Sequence, residues 1–200
     1  MTVPPIRPAR AGDVATIAAL LTDTVATDPV AQWLVPDPAE RQYVFHGLLA
    51  MDIDHAVGCG HVDVALDMTA VAVWRHHPVQ QAALSDYHLS TFTSRYLHRF
   101  QQLDALVHRY RSSAPHHWLA WLHVTPKARR QGIGRALLAH HHQRVDQLGH
   151  PVDTVVTGIT ARDYLTRHGY HPETPLRLPS GPYLWPLRRT GRPVPPTATG

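Results

Sequence analysis

Apolar residues along the chain alternate between helical spacing and strand-like strings, and their order sets the expected fold. Ile17, Leu20, Leu21 and Val25 follow the i, i+3, i+4 pattern of a helix with one buried face, with Asp13 placed to cap it. Asp28-Pro29 interrupts that helix and Pro36-Asp37-Pro38 makes a second turn. Tyr43, Val44, Leu48 and Met51 then recur at helical spacing. His61 to Leu66 alternates in type, Asp67-Met68 supplies a turn, and Ala70 to Trp74 is a continuous apolar run, together a hairpin. Tyr96, Phe100, Leu103, Val107 and Tyr110 predict a long helix over 94–111, stopped by Ser112 to Pro115.

The second half alternates more regularly. Trp118 to Val124 predicts a strand ended by Thr125-Pro126; Ala136-Leu137-Leu138 opens a helix running to Leu148-Gly149; Pro151 to Thr157 is again a strand. Ala161 to Arg167 is a short helix closed by Gly169, and Tyr183-Leu184-Trp185 a last strand. Strands and helices in this order give a mixed α/β architecture around one sheet.

Composition narrows the picture. At 200 residues and 44% hydrophobic, the chain can bury one sizeable core, so residues 1–190 are expected to form a single domain. Residues 191–200, rich in Pro, Thr and Gly, are expected to be a disordered tail. No apolar run reaches membrane-spanning length and the N-terminus lacks a signal-peptide core, which predicts a cytoplasmic protein without a membrane partner. Cys59, the single cysteine, cannot form an intrachain disulfide. The net charge of +4 comes without a long basic run, so no nucleic-acid partner is expected.

The basic residues that do cluster surround two glycines, in Arg129-Arg130-Gln131-Gly132-Ile133-Gly134-Arg135, between a strand and a helix. The first N–H groups of a helix have no intrahelical partner, and its dipole adds roughly half a positive charge there, so this end attracts phosphate. Glycines let the backbone come close to phosphate oxygens, and the arginines add charge. A nucleotide-hydrolysing loop would need Lys-Ser or Lys-Thr where Arg135-Ala136 stands, and a dinucleotide turn would need a glycine at Leu137.

The stretch from Leu122 to Gly134, with Arg129-x-x-Gly132-x-Gly134, resembles motif A of the GCN5-related N-acetyltransferases (GNAT), closest to the puromycin N-acetyltransferase branch. Tyr164 to Tyr170 is similar to the tyrosine-to-Gly-Phe segment that follows some thirty residues later in that family. The resemblance implies a GNAT fold, a central mixed sheet of six or seven strands splayed at the fourth and fifth and flanked by helices, with acetyl-CoA in the splay. It implies that Arg129, Arg130, Gln131, Gly132, Ile133, Gly134 and Arg135 bind the pyrophosphate, and that Leu122, His123 and Val124 pair with the pantetheine arm. Val124 N–H would polarise the thioester carbonyl and Tyr164 would serve the leaving thiolate as general acid. The implied reaction is acetylation of a small-molecule primary amine, such as an amine antibiotic, by a monomer or homodimer. Acetylation of protein N-termini or lysines, and CoA sensing without catalysis, are the alternatives.

The general base is left open. Glu40 and Glu173 are the only glutamates, Val155 and Val156 stand where many relatives carry one, and Gly158-Ile159-Thr160 replaces a CoA-touching asparagine. Asp28, Asp52, Asp54 and Asp86 come from segments expected to border the acceptor cleft, and any histidine there has a suitable ordinary pKa. No metal is expected despite seventeen histidines. His140-His141-His142 point about 100° apart on a helix, and His76-His77 and His116-His117 are expected to be solvated strand ends. Trp33, Trp74, Trp118 and Trp121 are expected to pack rather than to bind a ligand.

Overall fold

The computed structural model describes residues 3–77, 93–111 and 114–191. The expected tail from Arg192, the stop at Ser112-Ser113 and the candidate Asp86 lie outside the described residues. The strands are β1 (Ile6–Pro8), β2 (Val62–Ala65), β3 (Ala70–His77), β4 (His116–Val124), β5 (Val152–Val156), β6 (His171–Pro172), β7 (Leu176–Arg177) and β8 (Tyr183–Arg189). The helices are α1 (Val14–Val25), α2 (Pro29–Leu34), α3 (Pro38–Gly58), α4 (Leu97–Tyr110), α5 (Ile133–Leu148) and α6 (Ile159–Thr166). They build an eight-stranded mixed sheet in the order β1-β2-β3-β4-β5-β8-β6, with β7 on β8. Only β4 and β5 run parallel. Two of the eight strands, β6 and β7, are two residues long.

The helix starts differ from the sequence expectation in instructive ways. Asp13 does not cap α1; its carboxylate takes two hydrogen bonds from Arg7, at 2.7 and 3.0 Å, and one from Arg10 N–H. Asp28-Pro29 does not simply interrupt a helix. Asp28 Oδ1 accepts from the amides of Val30 and Ala31, and Pro29 occupies the first turn of the short α2, where a missing N–H costs nothing. Asp37 and Pro38 repeat the device at α3, so Asp-Pro here starts helices. Tyr43 lies on the solvent side of α3, 70% exposed, while Val44, Phe45, Leu48, Leu49 and Ile53 form its buried face.

The sheet separates two apolar cores. On one face α1, α2, α3 and α4 bury Ile17, Leu21, Leu34, Leu48 and Ile53 against Val64, Val71 and Val73. On the other, α5 buries Ile133, Leu137, Leu138 and Val145 against Ala72, Trp74, Leu119 and Leu187. Trp74 and Trp118 are core residues, as expected, and the Trp74 ring stacks on His141 of α5 with centroids 3.8 Å apart.

Between β4 and β5 the sheet opens. The strands pair only at His117 with Val152 and Trp118 with Asp153. One residue later β4 carries a bulge: Trp74 faces Leu119 and Val73 faces Trp121, leaving Ala120 without a partner on β3. A bulge bends its strand and increases local twist, which turns β4 away from β5 at this point. The Thr154 hydroxyl donates to the Leu119 carbonyl at 2.8 Å, replacing the main-chain bond lost there. β5 stays with β8 along its whole length, and Arg188 of β8 closes a bidentate pair, at 2.7 and 2.8 Å, on the fully buried Asp153.

Behind the splay, α5 is tied to the α6 arm by His142, whose Nε2 lies 3.0 Å from the hydroxyl of fully buried Tyr170. Burial, then Arg189, lowers the His142 pKa to about 4, with Asp146 opposing and His168 adding to the shift. The folded value lies below the unfolded one of about 6.5, so the unfolded chain binds the proton first as pH falls. Stability is therefore expected to drop by about 3 kcal/mol on this account between pH 6.5 and pH 4, and to level off below. Denaturant unfolding of the wild type and His142→Gln across this range checks it: the variant should show a shallower acid slope, and identical slopes would refute the assignment.

Candidate active site

The strand that borders the splay presents its main chain to it. In an antiparallel pair, hydrogen-bonded and non-hydrogen-bonded residues alternate. Thr125 N–H donates to the Thr69 carbonyl at 2.9 Å, which fixes the phase: His123 exchanges bonds with Val71, while the peptide groups of Leu122 and Val124 face away from β3. On that side β5 has already diverged. Leu122 thus offers its N–H and C=O, and Val124 its N–H, to the cleft without a strand partner, whereas the peptide of His123 belongs to the sheet.

Directly after β4 the chain makes a 3-10 turn, Pro126–Ala128, and enters the glycine turn. The Arg129 guanidinium folds back and its Nε donates to Val124 O at 3.1 Å; the Gln131 amide donates to Lys127 O at 3.0 Å. Arg130 and Gly132 both have positive φ, +63° and +82°. The first is uncommon for a residue with a Cβ and is held at a cost of about 1 kcal/mol, of the kind stored at binding turns. This backbone directs successive N–H groups to one side. Gly132 starts α5 without any side-chain cap, and the first helical bond is Ala136 N–H to Gly132 O, so the amides of Ile133, Gly134 and Arg135 point out of the helix end. Arg129, Arg130 and Arg135 are exposed and form no ion pair among the described residues, while Ile133 is buried as the apolar anchor of the turn.

Tyr164 of α6 reaches across to this helix end. A Cβ built on Gly134 would stand 2.7 Å from Tyr164 Oη and 3.4 Å from Val124 Cγ2. Gly134 therefore makes room for the tyrosine, where the sequence suggested room for phosphate. The Tyr164 ring packs on His168 with centroids 4.4 Å apart, and His168 Nδ1 lies 2.8 Å from Tyr164 O, so a turn of α6 fixes the ring. The hydroxyl has no hydrogen-bond partner among the described residues. Burial raises its pKa, with Arg167 and Arg135 opposing, which keeps the proton on oxygen at neutral pH.

On the other face of β4, His123 is 9% exposed and its Nδ1 lies 2.8 Å from Thr24 Oγ1 of α1. Thr24 donates its own proton to Leu20 O at 3.0 Å, so its oxygen accepts from His123 Nδ1–H. This network assigns the tautomer and leaves the lone pair on Nε2. Burial, then Arg129, lowers the His123 pKa, so the ring is neutral at pH 7.

The carboxylates expected at the cleft are otherwise engaged. Asp28 caps α2 and its second oxygen bonds the Thr157 hydroxyl at the end of β5, a strut from the α1–α2 connection to the far arm of the splay. Asp52 pairs with Arg75, and Glu40 bonds Arg95 and, at 2.6 Å, the Tyr96 hydroxyl. Asp54 and Glu173 are exposed. Thr157, Thr24 and the bulge at Ala120 were not legible in the sequence, because each acquires its role only from partners distant in the chain.

The histidines also depart from expectation. His140 and His141 both approach the buried Asp63 carboxylate, at 3.7 and 3.9 Å, with His141 stacked on Trp74, while His142 turns to Tyr170. His116 and His117, however, are not solvated: His116 is 1% exposed and His117 half-buried, because α5 and the turn after it cover the start of β4.

The Acetyltransferase (GNAT) family model matches residues 22–170. Among solved structures, the "histone acetyltransferase HPA2 and related acetyltransferase" of Corynebacterium glutamicum is 22% identical with a TM-score of 0.74, covering 98% of this chain and 100% of its own. An agmatine N-acetyltransferase is 16% identical with a TM-score of 0.64, covering 94% and 100%. A mosquito arylalkylamine N-acetyltransferase-like protein is 13% identical with a TM-score of 0.62, covering 93% and 99%. At these identities the likeness to the solved structures is one of fold.

The contact between Gly134 and Tyr164 is testable as a double-mutant cycle. Gly134→Ala should destabilise the chain by about 1–3 kcal/mol through overpacking despite alanine's better helix propensity, and Tyr164→Phe, lacking the hydroxyl, should remove most of that cost. Denaturant melts of the four proteins read the coupling; additive effects would contradict the geometry.

Proposed function

This chain belongs to the GNAT acetyltransferase family, an acyltransferase class, and from that premise we propose that it transfers the acetyl group of acetyl-CoA to the primary amine of a compact small molecule. The observation that carries the proposal is the splay itself: an unpaired strand edge at Leu122 and Val124 leading to the uncapped start of α5. The CoA pyrophosphate would accept from the amides of Arg130 to Arg135 within the field of Arg129, Arg130 and Arg135. The pantetheine amides would take the place of a strand beside Leu122 and Val124.

In the reaction, the amine nitrogen attacks the thioester carbon, the C–S bond breaks, and the proton lost by nitrogen goes to a base. Val124 N–H donates to the oxygen on which negative charge develops. Tyr164 donates a hydrogen bond to the departing sulfur; its raised pKa makes full transfer uphill by more than the ~1.5 units, or about 2 kcal/mol, that separate ordinary tyrosine and thiol. We assign the base to His123, neutral, with Nδ1–H fixed on Thr24 and one residue from the oxyanion donor.

A small acceptor is supported by the Asp28–Thr157 strut and by α4, whose Arg99 bonds Trp33 O and whose Phe100 packs on Phe45. These contacts tie the helices to one another and to the far arm of the splay, and a compact amine needs less open surface beside them than an extended peptide would. The agmatine and arylalkylamine acetyltransferases that share the fold act on amines of this size. Within this class, an aminoglycoside or aminonucleoside antibiotic is the finer candidate, on the resemblance to the puromycin branch, with the cytoplasm as the site of reaction.

Incubation with acetyl-CoA and a panel of agmatine, arylalkylamines, amine antibiotics and histone peptides, followed by thiol release and product mass, tests the reading. Turnover of a small amine is expected, with kcat reduced roughly 100-fold or more in His123→Gln, at the low end of what a general base contributes. Turnover of peptides alone would overturn the choice of acceptor, and unchanged kcat in His123→Gln would overturn the base.

A further inference from the structure

At the closed end of the splay, opposite the glycine turn, three histidines from separate segments converge. His76 lies at the end of β3, His117 at the start of β4, and His150 in the turn between α5 and β5. Each can offer a ring nitrogen, and the three nitrogens lie within 4.8 Å of one another. The ring centroids are 4.8 Å apart for His76 and His117, and 5.7 Å for each of the other two pairs.

Two further observations set this cluster apart from packed imidazoles. His117 Nε2 and His150 Nδ1 are buried and have no hydrogen-bond partner among the described residues, an arrangement that costs free energy unless something takes the lone pairs. And His117 is held from behind: its Nδ1 lies 3.2 Å from Nε2 of His141, which is clamped flat on Trp74 and has Nδ1 3.9 Å from the buried carboxylate of Asp63. A ligating histidine oriented through its other ring nitrogen, with a carboxylate further out, is how protein metal sites fix tautomer and direction.

We propose that His76, His117 and His150 form a three-imidazole site for a divalent transition-metal ion of the zinc type, with an open fourth position. Zinc–nitrogen bonds of ~2.0–2.1 Å in a tetrahedral site put ligand nitrogens about 3.3 Å apart, so the widest pair would close up by about 1.5 Å through side-chain rotation. Neutral imidazoles suit zinc, copper and nickel rather than magnesium or calcium.

The position gives the site a consequence. His117 is one of the two β4 residues paired with β5, its N–H donates to Pro151 O at 2.9 Å, and His150 immediately precedes Pro151. An ion here cross-links β3, β4 and the approach to β5 at the root of the splay, stiffening the hinge without touching the CoA cleft.

The test uses the full chain without an affinity tag, stripped with chelator and dialysed against zinc alone, with bound metal measured by mass spectrometry and the cobalt form by visible absorption. One zinc per chain, a tetrahedral cobalt spectrum and a raised melting midpoint are expected. His76→Gln and His150→Gln, both at partly exposed positions, should each weaken zinc binding about 100-fold while melting like the wild type in chelator and keeping acetyl transfer. No saturable uptake, or wild-type zinc affinity in either variant, indicating uptake at unrelated surface histidines, would overturn the site.

Discussion

The parting of β4 from β5 after two residue pairs is the constraint on which the rest of the molecule depends. Backbone groups inside a sheet are normally consumed by their neighbours, and a strand edge inside a fold is a liability unless it is used. Here the bulge at Ala120 bends β4 away, the Thr154 hydroxyl serves the first carbonyl past the break, and the edge at Leu122 and Val124 is left without a neighbouring strand. β5 cannot follow β4 because it is held in full register by β8 and anchored through the buried Asp153–Arg188 pair.

The groups proposed for the chemistry are carried by rigid elements around that opening. The start of α5 brings its unsatisfied amides, α6 brings Tyr164 into the space Gly134 leaves, and α1 holds His123 in a defined tautomer through Thr24. These contacts come from both faces of the sheet. The proposed donor site lies on the α5 side, the proposed base on the α1 side, and the splay joins the two.

The sequence made legible what depends on local periodicity and turn chemistry. The hairpin at Asp67-Met68, the long helix ending at Tyr110 and the strand–glycine turn–helix unit follow from patterns within a few residues, while Tyr164 was singled out by the family resemblance. What it hid depends on residues far apart. Asp28 and Thr157, 129 residues apart, meet across the splay, and Asp13, read as a helix cap, is claimed by Arg7. Strands β1, β6 and β7 are too short to carry an alternation, and α2 is too short to show a stripe. His116-His117 looked like a solvated end because nothing in its spacing says that α5 and the turn after it cover the start of β4. Tyr170, matching a phenylalanine in the family pattern, finds a use for its hydroxyl only because His142 faces it from another helix.

On the proposed function, the main chain from Leu122 to Arg135 is a preformed cradle for the CoA moiety. Amide hydrogen exchange read residue by residue, with and without CoA, measures it directly. Binding should slow exchange at Val124 and at Ile133, Gly134 and Arg135, whose amides have no acceptor among the described residues, while leaving His123, already bonded to Val71, unchanged. Saturation with CoA and no added protection at these four amides would contradict the account.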